Sequence, residues 1–261
     1  MKAELITSLQ NPKIKNLVKL SEKSSERRSQ NLIIVEGLRE IQIAVGAGFT
    51  IEQLYFCEAL GAEQNLLKAK SYFEISKEVF SKIAYREGSD GYIAVFEPVY
   101  FSLDNLKLPN DPFIIILESV EKPGNLGAIL RTADAANIDA LIVCDPKTDI
   151  YNPNAIRSSV GCVFSVPIVT STNQEVLEWL HSKNIKTYAA ALTATKEYTD
   201  INFKEASAIV MGTEATGLTS FWLNNADAQI KIPMLGKIDS LNVSTSTAIL
   251  TFEALRQRRK N

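Results

Sequence analysis

The sequence predicts an α/β protein in two parts, the larger of them a mainly parallel sheet with helices on both faces. Three observations point there. In the C-terminal half, short continuous apolar runs alternate with segments of helical periodicity, as expected of strands buried on both faces between crossover helices. A composition break falls between Glu97 and Pro112, where Pro98, Pro109, Pro112 and several Asp and Asn residues interrupt the pattern. Ahead of that break, a shorter set of helix and strand segments suits a smaller α/β domain of roughly 100 residues.

In the first part, 14–20 is helical, 32–35 is a short buried strand, and 38–47 is helical with Gly48 as its stop. Strand character follows over 51–57, helical character over 63–71, and strand again over 91–96. Residues 98–112 are expected to be a linker, which places one domain at 1–97 and the other at 113–261. Beyond the linker, 113–117 is a strand and 126–136 a helix, with strands at 140–143 and 163–169. A helix over 174–182, strands at 186–190 and 208–211, and a closing helix over 243–258 complete the alternation. In such sheets ligands sit at the carboxyl ends of the strands.

At 261 residues, 46% hydrophobic and 22% charged, the chain reads as soluble and globular, not disordered or fibrous. No apolar run approaches the roughly 18–20 residues that span a bilayer, and the first residues lack an apolar signal region of the length export requires. Cys57, Cys144 and Cys162 are odd in number and widely spaced, with no CxxC. That fits small buried roles in a reducing cytoplasm. The single histidine, His181, has no ligand partners nearby in sequence, so no metal site is expected. A net charge of −2 is low for a nucleic-acid enzyme, because phosphate contacts usually bring a basic surface. The charge is unevenly spread, however. Lys13, Lys15, Lys19, Lys23, Arg27 and Arg28 crowd the start, and Arg256, Arg258, Arg259 and Lys260 the end. Two solvated helix faces would have the same composition.

Three strand-end loops are richer in Gly, Asn, Ser and Glu than a simple connection needs. The first, 118–134, carries Asn125 at a helix start, where its side chain can cap free N–H groups, and Arg131 six residues on. An ordinary cap and a surface arginine would look alike. Its Gly-Asn-Leu-Gly run does not match GxGxxG, which disfavours a dinucleotide site. The second, 209–219, places Gly212 directly after a buried strand, where backbone can come close to a ligand, and Glu214 near a helix N-terminus. The third, 232–248, opens a helix with Ser240-Leu-Asn242-Val-Ser244. Capping needs one such residue, so the excess suggests ligand contacts.

In this order the three segments resemble the signature motifs of the SpoU (TrmH-like) family of RNA methyltransferases, in the SPOUT superfamily. Asn125 to Thr132 fits N-L-G-x-x-x-R-T, Gly212 to Leu218 fits G-x-E-x-x-G-L, and Ile232 to Ser244 fits I-P-M-x-G-x-x-x-S-L-N-V-S. Thr7-Ser-Leu-Gln-Asn-Pro-Lys-Ile-Lys, followed by Val35-Glu36-Gly37, resembles the substrate-binding domain often fused to this catalytic domain, similar in fold to ribosomal protein L30e. The resemblance spans nearly the whole chain.

It implies a C-terminal α/β-knot, a trefoil-knotted and mainly parallel fold, preceded by the smaller L30e-like α/β domain. The implied activity is S-adenosyl-L-methionine-dependent methyl transfer to a ribose 2′-hydroxyl of RNA, in 23S rRNA before tRNA. Gly212, Ile232 and Leu241 would hold the cofactor, largely through backbone groups. Arg131 matches the family's essential arginine. Because an arginine keeps its proton up to a pKa above about 12, the expected role is to hold a phosphate beside the target ribose and stabilise the developing alkoxide. Asn125, Glu214, Ser240 and Asn242 would position Arg131 and the hydroxyl. Lys13, Lys15, Arg27 and Arg28, with the turn at Glu36-Gly37, would bind RNA. The implied partners are RNA and a second copy of the chain through the knotted domain, in the cytoplasm, with no membrane and no metal. Thr213 and Ala215 stand where relatives often have Asn or Ser and Gly; both are small enough to leave the approach at Gly212 open. Two rivals stay open: a catalytically silent ribosome-assembly factor with the same fold, and a methyltransferase acting on a base.

Overall fold

The computed structural model describes residues 3–85, 88–213 and 216–259. In chain order the elements are β1 (Glu4–Ile6), α1 (Pro12–Glu22), α2 (Ser24–Gln30), β2 (Ile33–Glu36), α3 (Leu38–Gly46), β3 (Ile51–Phe56), β4 (Ala69–Ile75), α4 (Lys77–Ile83) and β5 (Tyr92–Phe96). They continue with β6 (Phe113–Glu118), α5 (Pro123–Ala136), β7 (Ala140–Cys144), α6 (Pro153–Ser158), α7 (Cys162–Ser165), β8 (Ile168–Ser171) and α8 (Asn173–Ser182). The last are β9 (Lys186–Ala190), β10 (Lys196–Glu197), β11 (Ser207–Met211), α9 (Ser220–Asn225), β12 (Ala228–Lys231) and α10 (Val243–Arg258).

The chain forms two compact units, Met1–Val99 with Tyr151–Ser165, and Tyr100–Ile150 with Val166–Asn261. The first contains a mixed sheet in the order β1-β4-β3-β5-β2. α1 starts where the Asn11 side chain accepts from Lys13 N at 2.9 Å and Pro12 presets the first turn. It buries Ile14, Leu17 and Leu20, a stripe at helical spacing. Residues 63–71, expected to be helical, form only a short 3-10 turn at Gln64–Leu66 before entering β4. β4 is held parallel to β3 on one side and β1 on the other, with Ala69 opposite Ile51 and Ile75 opposite Ile6. Pairing on both edges outweighs the local helical preference.

Residues 151–165 belong to the first unit although they lie far along the sequence. An aromatic cluster explains this: the Phe164 ring lies 5.0 Å from that of Phe49, and the Tyr151 ring 6.3 Å from Phe49. The strand expected over 163–169 is thereby divided. Val163 and Phe164 fall in α7, and only from Ile168 does the chain pair with β7. The stretch expected to be a linker is also partly structured. Leu103, Leu106 and Leu108 pack on the core of the second unit, and Phe101 bridges to Val169.

The second unit contains a seven-stranded sheet in the order β10-β12-β9-β11-β6-β7-β8, with every neighbouring pair parallel. β6 and β11, next to each other at its centre, are buried at every position, as strands covered on both faces must be. α8 starts in a reciprocal cap between Thr172 and Glu175. The last helix, α10, returns to pack on α5 and β11, burying Thr247, Leu250, Thr251 and Ala254. No helix among the described residues is long and apolar enough to cross a membrane.

Arg258, at the end of α10, holds the opposite rim of this sheet. Its guanidinium donates to the carbonyls of Asp111 at 2.6 Å, Phe203 at 2.7 Å, Glu205 at 2.7 Å and Pro112 at 3.2 Å, and lies 5.3 Å from the Phe113 ring centre. This part of the C-terminal basic cluster therefore serves structure. Each bond from a charged donor contributes about 1.5–3 kcal/mol, offset here by partial exposure, so Arg258→Ala should destabilise the fold by about 2–4 kcal/mol. A urea titration measures it; a midpoint unchanged within error would mean that water replaces the guanidinium.

Candidate active site

The carboxyl ends of β9, β11 and β12 lie side by side, and their loops enclose a cavity of about 470 Å³. That size falls in the range of about 300–1,000 Å³ usual for small-molecule and cofactor sites. Ala190 to Thr193 wall it after β9, Met211 to Thr213 with Thr216 to Leu218 after β11, and Ile230 to Ile232 with Met234 after β12. Asp239 to Val243, leading into α10, close the remaining side.

The β11 loop is a tight hairpin. Thr213 N donates to Gly217 O at 3.0 Å and Gly217 N to Thr213 O at 3.1 Å, with Gly217 at φ +69°. Gly212 is pressed against the returning strand of this hairpin. A Cβ there would lie 2.1 Å from Gly217 C and 2.3 Å from Leu218 N. The close approach expected at Gly212 is thus first an approach to its own loop, which shapes the cavity wall. Glu214, and Ala215 beside it, lie outside the described residues.

Ile232 and Leu241 both line the cavity, half-buried, as do the exposed Ser240 and Asn242. Asn242 caps α10: its Oδ1 accepts from Ser244 N at 2.8 Å and from Ser244 Oγ at 2.6 Å. Its Nδ2 donates to Asn125 Oδ1 at 3.2 Å, which joins the first loop to the third. Asn125 is not the cap of α5. Pro123 takes the first helical position, and Asn125 falls in the first turn behind it. Arg131 is exposed on the same helix, is not part of the cavity wall, and its guanidinium makes no hydrogen bond or ion pair among the described residues. Six residues of helix carry it about 9 Å along from Asn125 and about 120° around.

Sequence reasoning missed two charged residues of the wall, Lys231 and Asp239. β12 carries too short an apolar run to be recognised, and Asp239 stood hidden among the polar residues of its motif. It also missed the wall at Ala190 to Thr193, whose only signal is small residues directly after a strand. Burial, with the carboxylates of Asp145 and Glu118 adding to it, pushes the Cys144 thiol pKa up. A thiol held so is a poor nucleophile, because the thiolate is the reactive form.

In the first unit, Lys15 and Arg28 are exposed, and Lys13 is half-buried with its Nζ 3.4 Å from Glu4 and 4.9 Å from the Phe73 ring centre. Arg27 corrects the expectation of an RNA contact. It is 3% exposed, and its guanidinium donates to the carbonyls of Leu20 at 2.7 Å and Ser21 at 3.2 Å, closing the end of α1.

Comparison with known proteins bears on this arrangement directly. Residues 112–252 match the model of the SpoU rRNA Methylase family, and residues 11–94 that of the MRM3-like substrate binding domain. The chain belongs to the SpoU rRNA methylase family. Among its relatives is the 23S rRNA (guanosine(2553)-2'-O)-methyltransferase of Bacillus subtilis, 28% identical over 95% of this chain and 97% of that one. Among solved structures, an RNA 2'-O ribose methyltransferase is 38% identical, with a TM-score of 0.84 over 97% of this chain and 99% of that one. An AdoMet-bound rRNA methyltransferase from Sinorhizobium meliloti is 29% identical, with a TM-score of 0.88 over 97% of this chain and 98% of that one. The chain is accordingly an S-adenosylmethionine-dependent RNA ribose 2′-O-methyltransferase, with a smaller substrate-binding domain ahead of the catalytic one.

Proposed function

We propose that the chain methylates a ribose 2′-hydroxyl of 23S rRNA in the cytoplasm, with the cofactor in the cavity at the ends of β9, β11 and β12. The observation that carries this reading is the meeting of motifs there: the second and third line one cavity, and Asn242 reaches from the third to Asn125 of the first. The residues fit the group. Apolar and small side chains, among them Ala190, Leu192, Ile232 and Leu241, suit a flat heteroaromatic ring, and Asp239 with Lys231 suits a tail carrying both charges. When bound, the cofactor supplies an electrophilic methyl group on a sulfonium.

The chain's own part is to bring the ribose in line, manage its proton and stabilise the oxygen as charge develops. Ser240, Asn242 and Asn125, with Glu214, are the polar groups we assign to holding the hydroxyl. Arg131 is assigned to the phosphate and the alkoxide, because its guanidinium has no other partner among the described residues. We assign RNA docking to Lys13, Lys15 and Arg28 in domain 1–97, and the chemistry to 113–261, where the C-terminal segment tucks through a loop as a knot. A homodimer through that second domain would cover Leu235, Ile238 and Phe252, which are 97%, 61% and 48% exposed. It would also allow Arg131, which lies off the cavity wall of its own chain, to serve the site of the second copy.

Incubating the protein with labelled cofactor and, separately, with 23S rRNA and tRNA should place the label on ribose of the 23S rRNA. Label confined to tRNA would move the substrate, and no label in any RNA would favour a silent assembly factor.

A further inference from the structure

We propose that Glu118 is a positioning residue for the cofactor loop: a buried carboxylate at the end of β6 that fixes where the wall formed by Gly212, Thr213 and Thr216 to Leu218 stands. Glu118 is 1% exposed, and no motif contains it. It accepts from Thr219 N at 2.8 Å and Thr219 Oγ1 at 2.6 Å, with Asn173 Nδ2 a third donor at 3.0 Å. Asn173 is held in turn by Trp222 Nε1, which donates to its Oδ1 at 2.5 Å. Thr219 is the residue after Leu218 and stands immediately before α9, so Glu118 grips the cavity loop at its outgoing end. The incoming end is fixed by β11, parallel to β6. Between these anchors the loop is folded so tightly on itself that Gly212 has no room for a Cβ. A shift of Thr219 is therefore passed along the returning strand to the wall.

With both oxygens engaged inside the protein, Glu118 cannot itself reach a substrate. A buried carboxylate is costly unless its hydrogen bonds are satisfied, and a strand end needs none; this one spends its bonding on a loop that lines the cavity. The amide of Glu118→Gln sets an N–H against at least one of the three donors.

The proposal rests on the cavity being the cofactor site, which a separate arm tests. In the full-length protein, cofactor affinity by calorimetry and methylation kinetics are compared for Glu118→Gln, Thr219→Val and Thr219→Ser. Glu118→Gln and Thr219→Val should each weaken S-adenosylmethionine binding about tenfold and raise its KM alike. kcat at saturating cofactor and the KM for RNA should stay within about twofold. Thr219→Ser should restore binding, and the double variant should be no weaker than the worse single one, since both break one interaction. Arg258→Ala, destabilised at the far rim of the sheet, should bind normally and so separates positioning from general loss of stability. If Glu118→Gln does not fold, the two Thr219 variants decide alone. Wild-type affinity in Thr219→Val, or equal losses in the valine and serine variants, would overturn the proposal. If Gly212→Ala bound cofactor normally, the location of the site would be at fault, not the role of Glu118.

Discussion

Gly212→Ala should reduce S-adenosylmethionine binding by at least about 100-fold, although it adds one methyl group. The added Cβ would sit 2.1 Å from Gly217 C, 2.3 Å from Leu218 N and 2.4 Å from Gly217 O. All three are backbone atoms, so no rotamer change relieves the overlap. The two hydrogen bonds between Thr213 and Gly217 prevent the hairpin from widening unless they break. Opening it would remove Gly212, Thr213 and Thr216 to Leu218 from the cavity wall. Isothermal titration of the cofactor measures the effect, with thermal unfolding run alongside. Binding within about threefold of wild type, in a folded protein, would show that the cofactor does not occupy the cavity this loop walls.

The second large effect is expected at Arg131, and it should look different. Arg131→Ala should lower kcat by about 100- to 1,000-fold, the usual loss when a charge that stabilises a developing oxyanion is removed. Cofactor affinity should be unchanged, because Arg131 is absent from the cavity wall. Stability should change by no more than a few tenths of a kcal/mol, as for other exposed helix positions without partners. Single-turnover methylation alongside calorimetry separates the three quantities. Weakened cofactor binding would place Arg131 inside the cavity, and a near-normal rate would remove it from the chemistry. Arg131→Lys should recover little, since an ammonium cannot offer the paired donors that a phosphate accepts from a guanidinium.

Much of the catalytic fold was legible in the chain itself. Runs such as Phe113 to Leu117 are apolar throughout, and only a strand covered on both faces tolerates that, so the parallel sheet and its strand-end loops follow from local pattern. The closing helix 243–258 was equally plain, because Asn242 caps it with its own side chain. Motif order marked Gly212, Ile232, Ser240, Leu241 and Asn242 as neighbours, and all five line one cavity.

Other features depended on partners distant in sequence. Asn125 meets Asn242 across 117 residues, and Glu118 meets Thr219 across 101. Arg27 has the composition of a surface cation, yet it is buried against the carbonyls at the end of α1. β4 becomes a strand because strands lie ready on both sides of it, and 151–165 joins the first unit because its aromatic rings find Phe49 there. Periodicity records which face of a segment is buried. It does not record what buries it, because that depends on long-range packing and on where the remaining hydrogen bonds can be satisfied. The sequence by itself therefore determined the kind of sheet and the strand-end loops to which we assign the chemistry. Tertiary structure alone decided which polar groups in those loops stand free for a ligand and which hold the loops in place.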